Sequence, residues 1–150
     1  MSASERAQVR SVLLRHISAA ALEARLIREQ KDPEEGFLRE HLRKYILHKY
    51  MLPEEECPGD GIRELTEASL AHMMKVSPEL VEELDTARSC AGATSAMVKK
   101  ALLFQAMEKE LQITIPADKA AAVPDVGALA ALIAPLLAAK QAAGKGGGKG

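Results

Sequence analysis

The chain has 150 residues and a net charge of −1, so it is too short for two large domains and too neutral for a general attraction to nucleic acid or an anionic membrane. Hydrophobic residues make up 47% of the sequence and aromatic residues only 3%, and a composition dominated by Ala and Leu favours helices over sheets. The composition therefore predicts a small all-α protein.

The first two predicted helices form an N-terminal helical hairpin, residues 1–52. Apolar residues recur at three- and four-residue steps over Ser4–Gln30, and again in a second helix that ends near Met51. Between the two helices, Asp32 and Pro33 are typical of a helix start. Asp32 is the predicted N-cap and Pro33 the first helical residue.

The predicted hairpin is basic, whereas the region that follows is acidic. Residues 1–52 carry ten Lys and Arg against seven Asp and Glu, and residues 53–139 carry seven against fourteen. Because large apolar stripes are rarely left in water, we expect the hairpin to dock at least partly on the rest of the chain. Lys44 and Lys49 would then be free to bind an acidic partner.

Histidine and cysteine residues do not indicate a metal site. His41 and His48 lie seven residues apart on the second helix and project to nearly the same side, but no carboxylate or cysteine nearby completes a ligand set. Two surface histidines without a metal are the preferred interpretation. Cys57 and Cys90 lie far apart without a CxxC pattern, which predicts reduced thiols.

The remaining helices are predicted over residues 62–139, after a linker rich in turn-forming residues. One helix begins near Ile62, and Ser77 is the predicted N-cap of a brief helical turn. Residues 85–94 are small and polar, which is typical of a loop.

Ser95 is the predicted N-cap of the next helix, which ends at the β-branched string Ile113-Thr114-Ile115-Pro116. A short turn follows, and a last helix runs from Val126 to about Lys140. The Gly- and Lys-rich tail, residues 140–150, has few side chains to bury and is expected to be disordered. The residues predicted to share a core in this part of the chain are Val98, Ala101, Phe104, Met107, Leu111, Ile113, Ile115 and Val126.

This second region resembles the acyl carrier protein family. It has an apolar helix ending in Ala106-Met107-Glu108-Lys109-Glu110-Leu111, then Ile115-Pro116, a short turn, and Asp125-Val126 at the start of the last helix. The resemblance covers residues 62–139 and implies an acyl-carrier-like four-helix bundle. It also implies a protein that is not an enzyme but presents a phosphopantetheine-tethered acyl or aminoacyl group to dedicated enzymes.

The resemblance implies Ser95 as the attachment site of 4'-phosphopantetheine, because Gly92-Ala93-Thr94-Ser95 is similar to the family's Gly-Ala-Asp-Ser. Counting back without gaps from Ile115-Pro116 places Met97 there instead, and the arm could then not be attached. A third interpretation makes Ser95 a simple N-cap whose hydroxyl accepts from a backbone N–H.

The implied partners are a phosphopantetheinyl transferase and acyl-loading or acyl-transferring enzymes. Lys99 and Lys100 lie in the first turn of a helix that is usually acidic in the family, so we expect the partner enzymes to differ from those of ordinary fatty-acid synthesis. The alternative is an adaptor, a carrier-like bundle that lacks the arm and binds protein through the hairpin.

We expect neither a nucleic-acid nor a membrane partner. No signal peptide pattern opens the chain, and each apolar run is shorter than the ~20 residues of a membrane span. The sequence therefore predicts a cytoplasmic protein.

Overall fold

The computed structural model describes residues 2–57, 59–76 and 95–147. All regular secondary structure in these residues is helical, which confirms the all-α class. The helices are α1 (Ala3–Glu29), α2 (Glu35–Lys49), α3 (Ile62–Val76), α4 (Ser95–Leu111), α5 (Ala117–Ala122) and α6 (Val126–Gly147), with a 3-10 turn at Glu54–Glu56. The predicted turn after Ser77 and the predicted loop 85–94 lie outside the described residues.

Helices α1 and α2 pack side by side as the predicted hairpin. α1 begins with a capping box, in which the Ser2 hydroxyl accepts from the Glu5 N–H at 3.1 Å and the Glu5 carboxylate accepts from the Ser2 N–H at 3.2 Å. The N-cap of α2 is Glu34 and its first helical residue is Glu35, so the predicted roles of Asp32 as N-cap and of Pro33 as first helical residue are wrong. Asp32 has φ 45° instead, because the tight connection needs a left-handed residue and Asp tolerates that conformation better than most.

The hairpin and the later helices share one hydrophobic core. Ile27 of α1 and Leu38 and Leu42 of α2 belong to the same buried cluster as Val126 and Leu129 of α6. α2 packs along α6, and α1 packs against α4. The expected docking of the hairpin on the rest of the chain is therefore confirmed.

The core of α4 differs in part from the prediction. Val98 and Ile113 are half-buried, whereas Ala101 is exposed, so its place in the predicted core is wrong. Leu103 is buried instead. Helices α1 and α3 both pack against α4, and they cover the side of α4 that does not include Ala101. The predicted core residues that are buried are Phe104, Met107, Leu111, Ile115 and Val126.

The extended string after α4 turns the chain back into the core. Gln112 has φ 57°, and the Ile113 N–H donates to the Glu108 carbonyl at 3.1 Å, which is the hydrogen bond of a Schellman helix end. The Ile115 side chain is then buried in the shared cluster. The β-branched residues thus end the helix and also contribute to the core.

Helices α3 and α6 begin side by side at a junction of two loops. The Ile62 N–H donates to the Pro124 carbonyl at 3.0 Å, and the Val126 N–H donates to the Asp60 carbonyl at 2.9 Å. These two hydrogen bonds form an isolated antiparallel bridge that aligns the starts of the two helices.

The Asp60 side chain connects this junction to α2. It accepts from the Arg39 guanidinium at 2.7 Å and from the Arg43 guanidinium at 2.7 Å. The hydrogen bond from Arg39, with a smaller contribution from Arg43, holds the pKa of the Asp60 carboxyl below its usual value.

Helix α6 runs further than the sequence predicted. A disordered tail was expected over residues 140–150, but the helix continues to Gly147, and residues 148–150 lie outside the described residues. Lys140 donates to the Leu111 carbonyl at 3.2 Å, and Gln141 donates to the Gln30 carbonyl at 2.9 Å. These contacts hold α6 beyond the point at which its apolar pattern ends.

The same helix has the length and composition of a membrane span. Its segment Val126–Ala143 has a mean hydropathy of 1.6. However, Leu129, Ile133 and Leu137 are buried within the shared core. The core helix of a bundle meets the same criteria as a membrane span.

Candidate binding groove

Helix α1 extends beyond its partner in the hairpin. It has 27 residues and α2 has 15. At about 1.5 Å per residue, the difference leaves about 18 Å of α1 past the end of α2. The Nδ1 atoms of His16 and His48 lie 3.2 Å apart near the point at which α2 ends.

The apolar face of α1 changes from buried to open along the helix. Ala20, Ala24 and Ile27 are buried, whereas Leu13 and Ile17 are 41% and 48% exposed. Steps of three and four residues place all five side chains on one face. The stripe that forms core in the C-terminal half of α1 is therefore open to solvent in the N-terminal half.

A groove of about 690 Å³ lies beside this open stripe. Its walls include Val12 and Leu13 of α1, Tyr50 after α2, Met73 of α3 and Lys99 of α4, and we call it the α1 groove. Ligand sites in proteins commonly have volumes of about 300–1,000 Å³ and apolar walls with a few polar groups. The α1 groove is therefore the candidate binding site.

Most charged or titratable side chains of the α1 groove are basic. Lys49 is paired with Glu110 at 3.1 Å, and His72 is 3.3 Å from the Glu56 carboxylate. The expectation that Lys49 is free is therefore wrong, because Glu110 of α4 forms an ion pair with it. The basic residues are His16, Lys49, His72 and Lys99, Glu55 is the acid, and Tyr50 is the remaining titratable residue.

Lys99 has no carboxylate partner within the described part of the chain. Its Nζ donates to the Met73 Sδ at 3.1 Å and lies 5.1 Å from the centre of the Tyr50 ring. A thioether sulfur is a weak acceptor. Burial lowers the pKa of this lysine, so its ammonium group is partly desolvated without being neutralised.

Ser95, the candidate attachment site for 4'-phosphopantetheine, begins α4 one turn before Lys99. Its Oγ is buried and has no hydrogen-bond partner among residues 2–57, 59–76 and 95–147, so it does not make the hydrogen bond of the simple N-cap interpretation. A hydroxyl must reach the surface to be modified. Met97, the residue that the gap-free alignment places at the attachment site, is 61% exposed.

The other two predicted partner-binding lysines do not line the α1 groove. Lys44 is about half exposed and lies 3.9 Å from Glu40 on the same helix. Lys100 donates to the Ala121 carbonyl at 3.4 Å, beside a separate cavity of about 410 Å³ between α4 and α5. The structure thus brings Lys49 and Lys99 to one groove and places Lys44 and Lys100 elsewhere.

The histidines considered as metal ligands have different neighbours. His41 Nδ1 lies 2.6 Å from the Glu23 carboxylate, whereas His48 contacts His16. In the part of the chain that the structure describes, no group of three or more potential ligands could hold a metal ion. Sequence reasoning missed His16 and His72 as groove residues, and the one signal for His16 is its position three residues after Leu13.

Comparison of the chain with protein-family models, curated proteins and solved structures gave no match. The resemblance to acyl carrier proteins therefore stays a prediction.

Proposed function

We propose that this chain is a non-enzymatic adaptor, a carrier-like helical bundle that binds an amphipathic helix of a partner protein in the α1 groove. The observation that supports this most directly is the open stripe of Leu13 and Ile17, which continues the buried face of the same helix. A partner helix can cover such a stripe with apolar residues at the i, i+3, i+4 and i+7 positions. This would bury the face that the bundle leaves open.

The charge of α1 favours an acidic partner. Its N-terminal half carries Arg6 and Arg10 against Glu5, and helical spacing places both arginines on the side of Leu13. Opposite charges raise the rate and specificity of association more than its affinity. We therefore assign the affinity to the apolar stripe and the choice of partner to the surrounding basic groups.

A peptide display experiment tests the adaptor function. The full-length protein is used to select from a library of helical peptides that have apolar residues at the i, i+3, i+4 and i+7 spacing and random polar positions. We expect enrichment of acidic peptides, and we expect Leu13→Glu to abolish their binding. Leu22→Glu is the matched control, because Leu22 is also exposed but lies two and a half turns away, on the opposite side of α1.

The same selection can contradict the proposal. If no peptide is enriched, or if Leu22→Glu weakens binding as much as Leu13→Glu, the open stripe is not the binding surface. Circular dichroism of both variants must match that of the unmodified protein, so that a loss of binding cannot come from unfolding.

A carrier function is the second candidate, supported by the position of Ser95 at the start of α4 and by a hydroxyl that has no hydrogen-bond partner among the described residues. In this case Ser95 would carry 4'-phosphopantetheine, and the partners would be a phosphopantetheinyl transferase and acyl-loading or acyl-transferring enzymes. The test is the intact mass after coexpression with a broad-specificity transferase. An added arm that disappears in Ser95→Ala supports the carrier, and an unchanged mass of the unmodified chain contradicts it.

Under either function, we propose a cytoplasmic protein whose partners are other proteins, with neither nucleic acid nor a membrane as a ligand. The near-zero net charge gives the chain no general attraction to nucleic acid or to an anionic membrane.

A further inference from the structure

We propose that Lys99 is the specificity-determining residue of the α1 groove, and that the bound partner helix places one carboxylate side chain against its ammonium group. This inference rests on the proposed adaptor function and names the chemistry that the partner must bring. It commits to one occupant, an amphipathic helix with an Asp or Glu next to its apolar stripe.

The surroundings of Lys99 support this assignment. Its nearest polar contact is the Met73 sulfur at 3.1 Å, and the Tyr50 ring covers it from 5.1 Å. The Tyr50 hydroxyl is hydrogen-bonded to Thr66 at 2.8 Å, and Lys99 contacts the ring of Tyr50 and not its hydroxyl. The ammonium group therefore lies in an apolar wall with a weak acceptor as its only hydrogen-bond partner among the described residues.

The acidic side chains around the groove do not neutralise Lys99. Glu110 binds Lys49 and accepts from the Tyr45 hydroxyl, and Glu56 lies against His72. Glu55 lines the groove but forms no ion pair with a described residue. Among the described residues no carboxylate is therefore left to pair with Lys99, and in the proposed complex the partner helix supplies one.

The position of Lys99 also fits a helical ligand. It lines the same groove as Leu13, so a helix lying along the open stripe of α1 passes close to it. An acid one turn from an apolar contact residue on the partner helix would face the same side. In a partly desolvated groove such a pair is stronger than at an exposed surface.

The test uses a display library in which one position beside the apolar stripe is Glu, Gln or Lys, with the full-length protein, Lys99→Met and Lys100→Met as targets. We expect Glu to be favoured over Gln on the order of tenfold with the unmodified protein. The preference should disappear with Lys99→Met and persist with Lys100→Met. Lys100 is a suitable control because it is the next residue but donates to the Ala121 carbonyl, away from the groove.

The outcomes separate this inference from the proposed function. If peptides bind without a preference for Glu, or if Lys100→Met removes the preference equally, the role of Lys99 is overturned while the adaptor function stands. If no peptide binds, both are overturned. If dodecanoate binds in a Lys99-dependent way and no peptide does, the occupant is a lipid-like carboxylate, and the helix proposal is overturned.

A second readout observes Lys99 directly. In the free protein, burial lowers the pKa of this lysine. A carboxylate beside the ammonium group favours its charged form, so binding of a Glu peptide should raise the Lys99 pKa toward its ordinary value. NMR titration of the Lys99 side chain measures this change, and an unchanged or lower value on binding would contradict the proposed contact.

Discussion

His16 and His48 contact each other through their Nδ1 atoms at 3.2 Å, where α1 begins to extend beyond α2. Two like ring nitrogens can form this contact only when one donates its hydrogen and the other accepts. The two imidazole rings therefore cannot both be protonated while the contact persists. The part of the α1 groove that His16 lines should therefore respond to pH.

The first prediction is a loss of stability in mild acid. Burial lowers the pKa of His16, and His48, Arg15 and His72 lower it further. The unfolded chain therefore takes up this proton at a higher pH than the folded chain. The stability from His16 is complete above its unfolded pKa of about 6.5 and is lost as the pH falls below it.

Melting temperatures between about pH 8 and pH 5 test this behaviour. The unmodified protein should lose more stability across this range than His16→Gln. The double variant with His48→Gln should flatten the profile little further, because the two residues form one contact. Parallel profiles for the unmodified protein and His16→Gln would contradict the prediction.

The positions of several helices could be predicted because their signals are local. Helix starts near Ile62, Ser95 and Val126 follow from apolar periodicity, capping residues and prolines, and all three are observed. The end of α4 at the Ile113–Pro116 string is equally local. Asp32 misled the prediction because Asp suits both an N-cap and a left-handed turn residue.

The α1 groove could not be predicted in the same way. Periodicity identifies the apolar stripe of α1, but it does not show how far a second helix covers that stripe. The covered length depends on the different lengths of α1 and α2, which pack together. Likewise, the environments of Lys49 and Lys99 depend on Glu110 and Met73, which lie far from them in sequence. The exposure of Ala101 had the same cause, because the neighbours of α4 determine which side of the helix is buried.

The second prediction concerns the core of α4. Phe104→Ala removes a buried ring and should lower the free energy of unfolding by about 3–5 kcal/mol. Ala101→Ser changes an exposed position of the same helix and should stay within about 0.5 kcal/mol. Urea denaturation measures both. Similar losses in the two variants would show that the buried face of α4 is assigned incorrectly.

The third prediction concerns Asp60. Asp60→Asn weakens two charge-assisted hydrogen bonds, to Arg39 and Arg43, and should lower the free energy of unfolding by about 1–2 kcal/mol after allowance for their partial exposure. Because the pKa of Asp60 is lowered in the folded state, this stability is present above about pH 4 and is lost in acid.

The matched control for Asp60 is Glu67→Gln. Glu67 pairs with Arg63 on the exposed side of α3, and such surface pairs contribute only about 0–1 kcal/mol. Chemical denaturation at neutral pH should therefore separate the two variants. If Asp60→Asn costs no more than Glu67→Gln, the junction between α3 and α6 does not depend on the two guanidinium groups.

The fourth prediction concerns the hairpin as a whole. Deletion of residues 1–52 removes Leu38, Leu42 and their neighbours from the shared core and exposes the apolar face of α6. The fragment 53–150 should therefore melt at a lower temperature than the full chain and bind the dye ANS. A fragment that melts like the full chain and binds no dye would show that the hairpin is a separate module.

The last prediction concerns the effect of Lys99 on the free protein. Lys99→Met keeps an unbranched side chain of similar length and removes an ammonium group that has no carboxylate partner among the described residues. We expect a gain in the free energy of unfolding on the order of 1 kcal/mol at neutral pH. The loss of the contact with the Tyr50 ring offsets part of this gain.

The pH dependence of this gain identifies its cause. Because burial lowers the pKa of Lys99 in the folded state, the unfolded chain holds this proton more tightly, and the cost of the charge applies in full below the folded pKa. It disappears as the pH rises through that value toward about 10.5. The difference between Lys99→Met and the unmodified protein should therefore shrink in alkali, whereas Lys100→Met should show no such trend. A Lys99→Met variant that is less stable than the unmodified protein at neutral pH would mean that the lysine is already satisfied in the free protein, and it would remove the main reason to expect a partner carboxylate at this position.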